Sequence, residues 1–229
     1  YGTFTNSKGH VLVGHFHLGN IVNGTGTMLL ASSGTLIEGT WVEGKLRGQA
    51  KMVFKNGTVK QGFYFNSDLN GLGSEVTKSG RSYTGEFLRG AKHGHGTYRD
   101  AKGVVYEGQW IDDVRHGAGT MTYPDGIKYM CQWRDNAKVG PGVYITAVGL
   151  RVEGNFVNNT MQGEVTMRSP RGDVFVGNAS KGMKHGHGRM LFADGSTYEG
   201  QYRHNLQHGY GVQTYSNNAS YRGHWARNK

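Results

Sequence analysis

A five-residue pattern ending in an aromatic, x-x-Gly-x-aromatic, returns every 23 residues along almost the whole chain. Its cleanest copy is Tyr106-Glu107-Gly108-Gln109-Trp110, and others start at Ile37, Lys60, Tyr83, Tyr129, Val152, Phe175, Tyr198 and Tyr221. A fixed period of about 20–50 residues means one supersecondary unit stacked on itself, so the repeat decides the architecture before any other reading. Composition agrees. Glycine accounts for 39 of 229 residues with only 3 prolines and no Gly-x-y triplet, which excludes collagen. Hydrophobic residues reach 36% while aromatics reach 11%, as expected of a thin structure in which large rings supply most of the buried area.

Positions are counted from Tyr106 as position 1. Position 3 is glycine in every copy except Cys131, and position 5 is aromatic except at Ala179. Position 12 is always glycine, from Gly48 to Gly209, and position 14 is glycine except at Ala50 and Val165. Position 21 is glycine from Gly57 to Gly195 and becomes Asn218 in the last full copy. Positions 1, 3 and 5 share one face of a strand because side chains alternate. The order aromatic–Gly–aromatic leaves a gap in which a ring can lie over bare glycine backbone. Positions 12, 14, 16 and 18 predict a second alternating strand, with about six turn-like residues between the two, as from Ile111 to His116. Asp125-Gly126 and Asp194-Gly195 predict tight returns. Each unit is thus a β-hairpin, and an isolated hairpin is marginal until it is stacked.

The expected fold is an all-β, elongated, single-layer solenoid of hairpins without helices. One array fills residues 1–229: a partial repeat at 1–11, repeats at 12–36, 37–59, 60–82, 83–105, 106–128, 129–151, 152–174, 175–197 and 198–220, and a partial repeat at 221–229. Gly2 and Gly9 sit seven apart, like Gly119 and Gly126, which makes 1–11 the back half of a unit. Because the chain opens in mid-repeat, it is expected to be the C-terminal part of a longer array. Each unit should advance the stack by about 9–10 Å.

Tyr106–Trp110, followed by Arg115-His116-Gly117-Ala118-Gly119, resembles the MORN (membrane occupation and recognition nexus) repeat, and Tyr83–Gly96, Phe175–Gly188 and Tyr198–Gly211 fit the same pattern. The units at Leu12, Ile37, Lys60 and Val152 are degenerate copies. The resemblance implies one of two settings: a module beside a catalytic domain, or a protein made almost wholly of repeats, similar to cytoskeletal scaffolds of protists or ciliary components. A chain carrying only repeats fits the second. It implies a non-enzymatic, rod-like scaffold, cytoplasmic and cytoskeleton-associated near the plasma membrane, with cytoskeletal proteins as partners. The family name also suggests the alternative, a module binding phosphoinositides or other anionic phospholipids.

The residues themselves add candidate sites. Lys92, Arg115, Lys138 and Lys184 share position 10 and form either a solvated turn face or a cationic ladder toward lipid headgroups or an acidic partner. The net charge of +10 permits such attraction without naming the polyanion. His93-Gly94-His95 and His185-Gly186-His187 each offer two imidazoles, fewer than the four ligands zinc wants, so a zinc site would have to form between chains, joined by Cys131. Otherwise these histidines face solvent and Cys131 is a small stand-in for glycine beneath a ring. The last unit gathers Tyr198, Tyr202, Tyr210, Tyr215, Tyr221 and Trp225, which either complete the internal stack or form an antiparallel homodimer interface. No cofactor is expected and no catalytic constellation appears. Nucleic acid is not expected, since the repeated rings belong inside the stack. No apolar run reaches the ~20 residues a transmembrane helix needs.

Overall fold

The computed structural model describes residues 1–7 and 10–229 and resolves into two compact units, Tyr1–Arg115 and His116–Lys229. The first holds β1 (Gly2–Thr5), β2 (Val11–His17), β3 (Asn20–Leu30), β4 (Thr35–Val42), β5 (Lys45–Val53), β6 (Val59–Phe65), β7 (Asp68–Val76), β8 (Ser82–Leu88), β9 (Ala91–Arg99) and β10 (Val105–Ile111). The boundary falls within β11 (Val114–Thr122), and the second unit holds the rest of it with β12 (Lys128–Arg134), β13 (Ala137–Ile145), β14 (Arg151–Val157), β15 (Thr160–Arg168), β16 (Val174–Ser180), β17 (Met183–Leu191), β18 (Thr197–Arg203), β19 (Leu206–Thr214) and β20 (Ser220–Trp225). Within each unit every strand pairs antiparallel with the next in sequence. The described residues contain no helix, as the repeat pattern predicts. Gly9, on which the reading of 1–11 partly rests, lies outside the described residues.

The turn assignment needs correction. The expected loop from Ile111 to His116 is only two residues long: Ile111 closes β10, Val114 opens β11, and Asp112 and Asp113 make the turn with φ of 47° and 67°. The same two-residue turn recurs at Asp135-Asn136, Asn158-Asn159 and His204-Asn205, with both φ values positive each time. That is the type I′ geometry whose twist matches paired strands. The second strand therefore begins at position 9 rather than 12.

Position 12 does not belong to an alternating series either. In β8–β9, Gly85 pairs with Gly96 but Glu86 pairs with His93, so Gly94 and His95 bulge out of register. Gly94 carries φ of +57°, and its equivalents, from Gly48 at +81° to Gly209 at +65°, all sit in the left-handed region. This explains why the position is invariant: a side chain there would be strained. Returns between repeats follow the expected pattern. The Tyr123 N–H donates to the Ile127 carbonyl at 2.8 Å and the Gly126 N–H to the Tyr123 carbonyl at 3.0 Å, a type I turn closed by a left-handed glycine. In the last full copy Asn218 takes that conformation at φ +67°, the non-glycine residue best suited to it.

Candidate functional site

The core of each sheet is a ladder of rings on one face. Tyr83, Tyr106 and Tyr198 at position 1 are 1%, 1% and 0% exposed, and each meets the position 5 ring of its own repeat edge-on: Phe87 at 5.1 Å, Trp110 at 5.1 Å and Tyr202 at 5.3 Å. The contact also runs to the following repeat, from Tyr83 to Trp110 at 5.4 Å and from Tyr198 to Trp225 at 5.3 Å. The hydroxyls of Tyr83, Tyr106 and Tyr198 donate to the carbonyls of Glu86, Gln109 and Gln201, while the indoles of Trp110, Trp133 and Trp225 donate to those of Gly96, Gly119 and Gly211. These six bonded rings are fixed by packing on one side and a backbone bond on the other.

The glycines make room for this ladder. A methyl on Gly200 would lie 2.5 Å from the Gly211 Cα and 2.6 Å from the Tyr198 hydroxyl, and a methyl on Gly96 would collide with the Tyr83 ring. In two of the copies whose position 1 lacks a ring, position 14 carries a side chain: Ile37 goes with Ala50 and Val152 with Val165, both replacements buried, whereas the copy at Lys60 keeps Gly73. Val165 also pairs with Gly177 on β16, next to the Gly163–Ala179 pair, so the missing ring at Ala179 lies beside the one position 14 residue large enough to replace its volume.

Position 10 lies over the rings rather than out in solvent. Lys92 Nζ sits 5.6 Å from the Tyr83 ring and 5.9 Å from Trp110, Arg115 Cζ 5.7 Å from Tyr106, Lys138 Nζ 4.4 Å from Tyr129, and Lys184 Nζ 5.1 Å from Phe175. Such cation–π contacts contribute about 0.5–2 kcal/mol each. Burial lowers the pKa of the Lys184 ammonium. Where the ring is missing, position 10 becomes apolar and buried, as Leu46, Leu69 and Met161.

Position 8 ties most hairpin tips to the preceding repeat, a role not evident from the sequence. The Asp113 N–H donates to the Lys92 carbonyl at 3.0 Å, while Asp113 Oδ1 accepts from the Lys92 N–H and from Nζ, both at 3.0 Å. Burial alone would raise the Asp113 carboxyl pKa, but these donors outweigh it and hold it below the usual range. Asn159 on Lys138, Asn205 on Lys184 and Asn228 on Gln207 repeat the same two-way backbone contact. The visible signal is the run of Asp and Asn at positions 7 and 8, which reads as a two-residue turn once the strand is extended to position 9.

The remaining candidates lie in separate environments. His93 Nδ1 is 3.6 Å from Asp112 Oδ1, and the His185 ring lies 5.8 Å from that of His204. His185 and His187 line one shallow hollow with Gln201, Arg203 and His208. No group of three or more metal-donor side chains occurs among the described residues. Cys131 is buried between Gly119 and Gly142 on the neighbouring strands. Tyr129 in that repeat stacks on Tyr144 instead, at 4.8 Å and 20°, which leaves space for the thiol. Burial pushes the thiol up to about 11, against the pull of Lys138. The folded protein at neutral pH is therefore expected to resist iodoacetamide, with Cys131 alkylated only after denaturation; mass spectrometry of the two samples checks this, since the thiolate is the reacting form.

Of the last-unit rings, Tyr198 and Tyr202 are interior at 0% and 4% exposure. Tyr210, Tyr215 and Tyr221 are 50%, 47% and 45% exposed, and Trp225 is half-buried. The histidine and arginine side chains of β17–β20 lie on the face away from the rings.

Several solved structures have similar strand arrangements. The TCP10 domain of Danio rerio CPAP gives a TM-score of 0.49 at 10% identity, covering 87% of this chain and 94% of that one. The TCP domain of Drosophila melanogaster SAS-4 (dCPAP), solved with a proline-rich motif of Ana2 (dSTIL), gives 0.41 at 10% identity, covering 87% and 89%. The G-box domain of the microcephaly protein CPAP gives 0.46 at 14% identity, covering 95% and 100%. At these identities and scores the likeness carries no functional weight. No curated protein gives a significant match. The family model for the MORN repeat matches residues 38–59, 83–105, 106–128, 129–151, 175–197 and 198–220, including a copy whose position 1, Ile37, departs from the pattern. The unmatched complete copies are those opening at Leu12, Lys60 and Val152, where the position 1 ring is absent. With the ring ladder, the glycine pairs and more than half of the chain matched, this chain belongs to the MORN-repeat family.

Proposed function

We propose that the chain is a non-enzymatic scaffold that self-associates through residues 198–229, as an antiparallel homodimer, and helps organise a cytoskeletal or cortical assembly. The observation that carries this reading is Tyr221. Its ring is 45% exposed. Its hydroxyl keeps the repeat's own bond, to the His224 carbonyl at 3.3 Å, and its ring meets Trp225 at 5.3 Å. An exposed ring beside exposed Tyr215 suits an aromatic-anchored contact. The repeated residues, by contrast, are consumed in packing, which leaves little for chemistry. Light scattering at tens of micromolar is expected to give twice the chain mass, falling to one chain mass in Tyr215→Ser/Tyr221→Ser; a monomeric wild type would overturn the reading. The anionic-phospholipid alternative rests on the net charge of +10 and is separated by salt-dependent pelleting with phosphatidylinositol-phosphate vesicles.

A further inference from the structure

The face opposite the rings changes character toward the end of the second unit. Across β17–β20 and their turns it carries Arg189, Arg203, Arg222 and Arg227, all exposed, with His185, His187, His204, His208 and His224 between them. Three adjoining hollows run through this set. One is lined by Arg203, His204, His208 and Arg227. A second shares Arg203 and His208 and adds His185 and His187. The third shares His187 and holds Arg189, Arg222 and Tyr210 over Gly200 and Gly211. Glu199 is the single carboxylate lining any of them. None of the four guanidinium groups is in an ion pair among the described residues.

Packing does not explain this arrangement. In the first unit the outward pairing of position 11 with position 7 of the next repeat is His93 with Asp112, an imidazole against a carboxylate. The same relation becomes His185 with His204, and then His208 with Arg227 beside one hollow. The carboxylate has been replaced first by an imidazole and then by a guanidinium. None of these groups touches the ring ladder, and gathering like charges on one face costs repulsion.

We propose that this face docks an extended acidic peptide of a partner protein. The four guanidinium groups present forked donors that match carboxylates. The five imidazoles can each donate a hydrogen bond whether charged or neutral. The adjoining hollows form a strip, which suits an extended chain. The charges line recesses rather than a raised surface, which favours a peptide over a bilayer. The surface overlaps residues 198–229, but its arginines are distinct from Tyr215 and Tyr221, so separate variants distinguish the two readings.

The test is fluorescence anisotropy of a labelled oligoglutamate peptide against the whole chain at physiological ionic strength. Arg203→Glu/Arg227→Glu should weaken binding about tenfold or more. Lys45→Glu/Lys51→Glu, which changes the net charge equally on the first unit, should change it less than about twofold. Unchanged light-scattering mass in the arginine variant keeps the result separate from dimer loss, and Arg203→Gln/Arg227→Gln serves if the reversal does not fold. Equal weakening by the two reversals, or no binding by the wild type, overturns the proposal. So does binding of phosphatidylserine–phosphatidylcholine vesicles through the same arginines without binding of the peptide.

Discussion

Replacing Tyr198 with alanine is expected to destabilise the second unit by about 3–5 kcal/mol. The ring is 0% exposed, meets Tyr202 and Trp225 edge-on at 5.3 Å each, and lies over Gly200 and Gly211. Removing it opens a cavity floored by bare backbone, and the neighbouring Trp225 is held in place by its own bond to the Gly211 carbonyl, so the cost falls at the high end of large-to-small changes. Two subtler variants separate ring from hydroxyl. Tyr198→Phe deletes the bond to the Gln201 carbonyl, 3.1 Å long, and should cost about 1 kcal/mol. Tyr202→Phe removes a buried hydroxyl with no hydrogen-bond partner among the described residues and should be neutral or slightly stabilising. Tyr221→Ala, at a half-exposed ring, should cost far less than Tyr198→Ala. Urea unfolding of the four variants checks the order; a Tyr198→Ala cost no larger than that of Tyr221→Ala would show that the ladder does not carry the stability.

Adding one methyl at Gly96 is the second large effect. Gly96 has no positive φ, so the cost is steric: its Cβ would collide with the ring of Tyr83, which is itself held by the Glu86 carbonyl and by contacts to Phe87 and Trp110. Gly96→Ala should cost about 3 kcal/mol, the upper end for overpacking, because the displaced ring cannot move without breaking its other contacts. Gly71→Ala offers a contrast, since nothing lies within 4 Å of its Cβ and only the left-handed backbone at +70° resists, for about 1–2 kcal/mol. The chain already contains the remedy for the steric case, in Ile37 with Ala50 and Val152 with Val165. Tyr83→Ile should therefore cost less in the Gly96→Ala background than alone, with a coupling of about 1–3 kcal/mol in a double-mutant cycle. Additive costs would mean that position 1 and position 14 do not compete for the same volume.

Much of this was legible in the chain because a strand's alternation is local. The period placed Tyr106, Gly108 and Trp110 on one face and located the return at Asp125-Gly126 without knowledge of any neighbour. The first turn is misread from the sequence because Val114-Arg115-His116 looks like loop, although the two-residue turn at Asp112-Asp113 already closes the hairpin and the two-way bond at position 8 holds equivalent residues such as Lys92 and Lys138 in strands. Position 12 reads from the sequence as part of an alternating strand, because a bulge leaves no trace in a two-residue period and shows only as a glycine without exception.

Lys92, Arg115, Lys138 and Lys184 were visible as a column, but whether a column of cations faces water or rings depends on what stands beside it. Here the position 1 ring of the same repeat does, 9 residues away in sequence and in contact only after the hairpin closes. Cys131 tells the same story, since its fit depends on Tyr129 leaving to stack on Tyr144.

By itself, then, the amino-acid order determined the repeat, the all-β hairpins and the face each ring occupies, since these follow from periodicity along one strand. Tertiary structure alone decided the bulge, the seat of the position 10 cations, the exchange of volume between positions 1 and 14, and the gathering of arginines and histidines on β17–β20. Those depend on register and on side-chain volume across strands, which exist only once one repeat has docked on the next.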